Sequence, residues 1–316
     1  MIPPLSPALV RSVIYPLYRG LRRDRLLTAL EELERNQWLS ARELQDLQWS
    51  RLVALIRGIA AYVPFYEDLL KQVSLRPEDV QSPDDFRKIP FLTKEIIRSA
   101  GARMISNDPI RRGFRSSTGG STGEPLVFFG DVSSGPLRRA NALRGFRWAG
   151  IDIGDRQAVL WGTHLDVTRR ERVTKAIRDY FSNMLYLSTF DMSDASMERH
   201  AATLRSFRPS LFTAYPSALA LFAGYLRAWR FQDIRPRAVI TSGEELYESQ
   251  RELIEAVFGC RVFDRYGSRE FASVAHECEE HRGLHVMSDL FYVEVVTESG
   301  RPANEGEIGS LVLEGI

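Results

Sequence analysis

Between Arg115 and Leu126 the chain reads Arg-Ser-Ser-Thr-Gly-Gly-Ser-Thr-Gly-Glu-Pro-Leu. Residues 116–123 hold three glycines, two threonines and three serines, and an apolar run, Leu126–Phe129, follows directly. Glycine lets a backbone turn tightly and bring its N–H groups close to an anion, and the hydroxyls add further donors. That combination suits a triphosphate. It differs from the common phosphate loop, because no Gly-Lys-Ser/Thr follows and no helix starts directly behind it. A flexible surface linker is the competing reading, and the clean apolar strand behind the loop argues against it.

Three other segments could carry chemistry. Asp264-Arg-Tyr-Gly-Ser-Arg-Glu270 follows an apolar run. A Tyr-Gly pair at a strand's end can lay a ring on a base, and a carboxylate four positions after the Tyr could hold Mg²⁺, a hard cation that takes oxygen ligands. Alone, this segment reads equally well as a structural turn. Thr241-Ser-Gly-Glu244 again lies at the end of an apolar strand and before a helix, where open α/β sheets bind ligands. His276-Glu-Cys-Glu-Glu-His-Arg-Gly-Leu-His285 gathers three of the five histidines and one of the two cysteines. Zinc takes such ligands tetrahedrally, and a solvated polar loop is the alternative.

The elements that must position these segments change in texture along the chain. Up to residue 113 the pattern is helical. Ser40 and Glu43 form a capping box, and Leu44, Leu47, Leu52, Leu55 and Ile56 recur at helical spacing through to Tyr62. Ser82-Pro83 and Thr93-Lys94 start further helices. From residue 114 short apolar runs (Ala158–Trp161, Met184–Leu187, Leu211–Ala214, Ala238–Thr241, Arg261–Tyr266) alternate with helical stretches, which implies parallel sheets covered by helices. Gly259 is placed to end the helix Glu248–Phe258. Phe291–Glu298 and Ser310–Leu313 then read as an antiparallel pair. The expected division is a helical region at 1–113, an α/β nucleotide- and acid-binding core at 114–290, and the start of a β subdomain at 291–316.

Composition narrows the function classes. Forty-two basic against 41 acidic side chains leave a formal net charge of +1, without the basic excess of a dedicated nucleic-acid binder. Two cysteines, Cys260 and Cys278, cannot form a disulfide framework, so a reducing cytoplasm fits best. No apolar run is long enough for a membrane span. The segment Pro16–Arg25 is basic and moderately apolar, which leaves peripheral contact open, although no stable membrane association is expected.

The loop, Ser242-Gly-Glu244 and Tyr266–Glu270, in this order, resemble the adenylate-forming superfamily of acyl-CoA synthetases. The nearer match is its phenylacetate–CoA ligase branch, which also takes in capsule-biosynthesis proteins. Tyr62-Val-Pro-Phe-Tyr66, Ile89-Pro-Phe-Leu-Thr-Lys94, Ala214-Tyr-Pro-Ser217 and Gly306-Glu-Ile-Gly309 support it, so the resemblance covers most of the chain. It implies an α/β fold, the large N-terminal domain of an acyl-CoA synthetase. It implies that ATP with Mg²⁺ activates a carboxylic acid, aryl or otherwise apolar, to an acyl-adenylate with release of pyrophosphate. Coenzyme A then takes the acyl group; transfer to an amine is the alternative. A non-catalytic nucleotide-binding domain and a sugar-nucleotide enzyme remain as rivals. The partner is a small-molecule acid, no nucleic acid is expected, and a homodimer stays open.

Carried over by position, Ser117, Thr118, Gly119, Gly120, Ser121, Thr122 and Gly123 would wrap the phosphates, with Thr118 acting in catalysis. Ser242, Gly243 and Glu244, with Asp264, Arg265, Tyr266 and Gly267, would form the adenine slot. Glu270 would bind Mg²⁺, and Phe146, Trp148 and Tyr215 would face the acid. Cys278 and His285 match positions that pair with downstream cysteines in the branch and are the candidate zinc ligands. Leu126 stands where the wider superfamily often has Lys, and Arg269 where Ser or Thr usually precedes the Glu. The family continues with an Arg-Tyr…Asp segment and a small domain bearing a catalytic Lys; both are expected to be absent from this chain.

Overall fold

The computed structural model describes residues 3–110, 113–118, 125–162 and 169–316. Its contacts divide the chain into two units that interleave along the sequence. The first comprises 1–30, 139–268 and 273–285, and the second 31–138, 269–272 and 286–316.

In chain order the strands are β1 (Gly113–Ser117), β2 (Val127–Asp131), β3 (Gln157–Trp161), β4 (Met184–Ser188), β5 (Leu211–Ala214), β6 (Ala238–Ser242), β7 (Arg261–Ser268), β8 (Ala272–Glu277), β9 (Leu284–Val286), β10 (Phe291–Val296) and β11 (Ser310–Gly315). The first unit is built on one sheet of order β4-β3-β5-β6-β7-β8-β9. Strands β4 to β7 in that order pair in parallel, so the strand–helix alternation of the sequence is realised. Every residue of β5 and β6 is buried, as expected of central strands covered on both faces.

Alternation along each strand sorts the core into two layers. Phe212, Ala214, Val239 and Val262 face a cluster fed by the helices Asp194–Phe207, Pro216–Ala228 and Glu248–Phe258, including Leu204, Phe222 and Phe258. Leu211, Ala238, Ile240 and Phe263 face the other way, onto Ile151 and Phe146. Gly259 caps Glu248–Phe258 with φ +67°, a conformation that favours glycine. No helix among the described residues is long and apolar enough to cross a membrane.

The second unit is mainly helical. The capping box at Ser40 and Glu43 forms, and its helix runs Ala41–Tyr62. Pro64 then opens a separate helix, Pro64–Gln72. Leu52, Ile56, Leu70, Leu75 and Val80 form a core on which Tyr292 of β10 and Ile316 pack. Arg51 ties the helix to the β10 segment, donating to the Asp289 carbonyl at 2.5 Å while pairing with Glu32 at 2.6 Å. β10 and β11 are antiparallel from Phe291↔Gly315 to Val296↔Ser310, as the sequence implied. β1 and β2 form a second antiparallel hairpin, whose connection carries the Gly/Ser/Thr loop.

Candidate active site

In the first unit three neighbouring parallel strands, β3, β5 and β6, bring candidate site residues to their carboxyl ends or just past them, where open α/β sheets bind ligands. β3 ends in Trp161, β5 leads into Tyr215, and β6 leads into Gly243 and Glu244. Tyr215 stacks on Trp161 with ring centroids 3.8 Å apart and planes 23° from parallel. Gly243 has φ +88°, and a Cβ there would sit 2.9 Å from Tyr215 Cε1 and 3.3 Å from Trp161. The backbone therefore lies against an aromatic wall that only glycine permits. Glu244 Oε2 accepts from the Ser217 amide at 3.1 Å, placing a carboxylate at the positive start of helix Pro216–Ala228. A flat apolar wall beside exposed backbone and a fixed carboxylate can hold a planar, hydrogen-bonding ring.

Buried Ser242 lies on β6 opposite Arg265 of β7. One residue earlier, the Thr241 hydroxyl donates to Asp264 Oδ1 at 3.1 Å. Burial raises the Asp264 carboxyl above its usual range, with the Thr241 bond opposing that rise. The Asp264 amide donates to Glu277 Oε2 at 2.7 Å, and Arg251 Nη2 donates to the other Glu277 oxygen at 2.8 Å. β7 runs on to Ser268, so Tyr266 and Gly267 lie within the strand and not beyond its end; Tyr266 is 45% exposed. The strand continues because β8 extends the sheet beside it.

The other two aromatics have different surroundings. Phe146 packs into the core against the sheet. Trp148 meets His276 and His285 edge-on, at 6.0 and 5.7 Å between centroids. His285 Nε2 lies 3.2 Å from Cys278 Sγ, but His281 turns away, its Nδ1 3.3 Å from both Arg251 and Glu277. No group of three or more metal-ligating side chains forms among the described residues. Two ligands fall short of the four of a structural zinc, and Arg251 competes for the third histidine, so a zinc, one of the two readings the sequence left open, does not fit these residues. His276 is fully buried: Nδ1 donates to the Glu277 carbonyl at 2.7 Å, and Nε2 has no partner among the described residues. Burial drives its pKa down to about 4.

In the second unit the mouth of the Gly/Ser/Thr loop is closed by Thr118. Its amide donates to the Leu126 carbonyl at 3.0 Å, and its Oγ1 accepts from the Leu126 amide at 2.9 Å. Gly119, Gly120, Ser121, Thr122 and Gly123 lie outside the described residues. Arg269 donates to the Ser117 carbonyl at 2.9 Å, so the residue that departs from the pattern of the resembled superfamily holds the base of the loop. Arg138 in turn donates to the carbonyls of Arg269 and Glu270 at 2.9 and 3.0 Å, and burial lowers its pKa. The half-buried Glu270 carboxylate has no hydrogen bond or ion pair among the described residues. Glu270 follows Arg269, which bonds the Ser117 carbonyl, and its carboxylate and the Thr118 hydroxyl are oxygen donors of the kind Mg²⁺ takes.

Four residues escape sequence reasoning: Trp161, Arg251, Glu277 and Arg138. Trp161 had a signal, being an aromatic at the carboxyl end of an apolar run. The other three meet their partners only through sheet register or distant chain reversal.

No protein-family model matches the chain. It is 26% identical over 295 residues to a phenylacetate-coenzyme A ligase of Thermus thermophilus, covering 87% of this chain and 62% of that protein. A phenylacetate-coenzyme A ligase of Escherichia coli is 28% identical over 283 residues, covering 86% of this chain and 63% of the relative. The chain thus spans a little over 60% of the length of these curated relatives. Among solved structures, an open conformation of 2-hydroxyisobutyryl-CoA ligase superposes with TM-score 0.69 at 19% identity, covering 84% of this chain and 64% of that one. A postadenylation state of the same ligase gives 0.71 at 18%, covering 88% and 60%. These likenesses establish the fold as the α/β architecture of acyl-CoA ligases.

Proposed function

From its similarity to the phenylacetate–CoA ligase branch of the adenylate-forming superfamily, we propose that the chain is the nucleotide- and acid-binding part of an ATP-dependent, AMP-forming acid–CoA ligase. A carboxylate attacks the α-phosphate of ATP, pyrophosphate leaves, and the acyl-adenylate passes its acyl group to the thiol of coenzyme A. The observation that carries this reading is the convergence of Trp161, Tyr215, Gly243 and Glu244 at the carboxyl ends of adjacent parallel strands.

In the first unit, Ser242–Glu244 and Asp264–Gly267 are assigned to the adenine, and Tyr215 to the apolar, aryl-type acid. Trp161 stiffens Tyr215, and the Arg251–Glu277 pair fixes the Asp264 backbone, so neither needs to reorganise when ligand arrives. In the second unit, residues 117–123 are assigned to the phosphates. Arg269 and Arg138 hold the loop's base and the Glu270 backbone in place. Glu270 would hold Mg²⁺, which supplies positive charge against the phosphate oxygens when bound. Thr118 keeps its hydroxyl proton, because Oγ1 accepts from Leu126, and can donate it to a phosphate oxygen. Fixed donors of this kind lower a barrier at which charge develops on oxygen. A cytoplasmic location follows from the need for ATP and coenzyme A.

The test is pyrophosphate release by the full-length protein from ATP and Mg²⁺ with a panel of aryl, branched and straight-chain acids. Release that requires one class of acid supports the reading. ATP binding without acid-dependent release by any member would replace it with that of a non-catalytic nucleotide binder.

A further inference from the structure

The first thirty residues are not used by the reading above. Pro7–Leu9, a single π-helical turn Val10–Ile14, and Tyr15–Arg22 form one continuous helical segment. It is pinned to the first unit along one side. Leu5 and Asn183 exchange hydrogen bonds at 3.0 and 3.2 Å, and Val10 is buried where the segment crosses Gly154. A Cβ at Gly154 would lie 2.6 Å from the Pro7 carbonyl. Arg11 donates to the Ile153 carbonyl at 2.9 Å.

The opposite side is apolar and open. Leu9, Val13, Leu17 and Leu21 recur every fourth residue and are 43%, 46%, 63% and 86% exposed, with Tyr18 beside them at 44%. In an α-helix each step of four overshoots a full turn by about 40°. The wider π-turn absorbs that overshoot between Leu9 and Val13, which keeps the stripe aligned. Large apolar side chains arrayed along one exposed face mark an interaction surface.

Charge identifies the occupant. Residues 7–25 carry five arginines (11, 19, 22, 23 and 25) and one acid, Asp24, in a chain whose net charge is only +1. Asp24 is already paired with Arg139 at 2.7 Å. The exposed side chains of Arg19, Arg22, Arg23 and Arg25 make no hydrogen bond or ion pair among the described residues. Arg11, Arg19, Arg23, Arg25 and Arg147 also line a cavity of about 640 Å³, in which the Tyr15 hydroxyl is buried without a partner among the described residues. One short segment that carries an open apolar stripe and unpaired guanidinium groups fits a surface that is apolar inside and anionic at its face, and that is an anionic lipid bilayer.

We propose that the segment Pro7–Arg25 lies in the interface of an anionic membrane. Leu9, Val13, Leu17 and Leu21 enter the acyl boundary while the arginines meet lipid phosphates. The contact is reversible and spans nothing. It is independent of the ligase reading, so either can fail alone.

Flotation of the full-length protein with vesicles tests it. Binding is expected to vesicles of equal parts phosphatidylcholine and phosphatidylglycerol, not to phosphatidylcholine alone, and to be released by high salt. Replacing Arg19, Arg22 and Arg25 together by Ala should lower partitioning about a hundredfold, at roughly fivefold per arginine. Leu17→Glu with Leu21→Glu should abolish it, and both side chains are exposed enough for the fold to survive, as an unchanged Tm confirms. Failure to float with the anionic vesicles overturns the proposal, as does flotation that both variants leave unchanged. A concentration-dependent dimer that the Glu variant breaks, without vesicle binding, assigns the face instead to a second copy of the chain.

Discussion

Lowering the pH should weaken the first unit through one side chain, His276. The ring is fully buried, with Gly145 against one edge and the rings of Trp148 and Phe263 around it. Among the described residues Nε2 has no partner, and burial disfavours an imidazolium, so the pKa falls from an ordinary 6.5 to about 4. The sign follows. Because the folded pKa is depressed, the unfolded chain takes up the proton first, and stability present above about pH 6.5 drains away as the pH falls towards 4. The gap of about 2.5 pH units, at 1.36 kcal/mol each, amounts to about 3 kcal/mol. That is a large share of the stability of a typical domain. Urea unfolding of wild type and His276→Gln from neutral to acid pH isolates the contribution, since Gln does not titrate. The variant should be the less stable protein at neutral pH, having lost the bond to the Glu277 carbonyl, and should gain on wild type by about 3 kcal/mol on acidification. A difference that stays constant with pH, or a His276 resonance titrating near 6.5, would refute the reasoning.

Three further expectations concern the candidate site. Glu270→Gln keeps size and fold but removes the hard anionic ligand, so Mg²⁺-dependent adenylation should fall about a hundredfold or more; wild-type rates would sink the metal assignment. Gly243→Ala sets a methyl group 2.9 Å from Tyr215 at φ +88° and should cost about 1–3 kcal/mol of stability, read by urea unfolding. Nucleotide affinity should fall with it. Arg251→Met leaves Glu277 buried without its cation and should destabilise by about 3–5 kcal/mol, whereas replacing both partners by apolar residues should recover much of that loss.

Patterns that depend on neighbouring residues were legible in the sequence. The Ser40–Glu43 box, the Gly259 cap, the parallel strands and the terminal antiparallel pair all follow from local chemistry or periodicity. Gly243 and Glu244 were legible because a strand end before a helix is a local signal. Glu277 was not, because its role depends on β8 bringing it to the Asp264 amide, and register is set by the whole sheet. Arg269 departs from the pattern of the resembled superfamily, and only the structure shows it holding the Ser117 carbonyl. The histidines at 276, 281 and 285 looked alike in sequence. One is sealed in the core, one serves Arg251 and Glu277, and one faces Cys278, because β8 and the turn after it point them in different directions.

The central claim is that a substrate carboxylate attacks the α-phosphate of ATP. The most direct test supplies the full-length protein with an active acid whose carboxylate carries heavy oxygen, together with ATP, Mg²⁺ and coenzyme A, and weighs the products. An acyl-adenylate has one carboxylate oxygen bridging carbon and phosphorus, and thiol attack at the carbonyl leaves that oxygen on AMP. Heavy oxygen in AMP, with pyrophosphate unlabelled, is the expected result. Label in inorganic phosphate, with ADP as the nucleotide product, would mean attack at the γ-phosphate and would contradict the account.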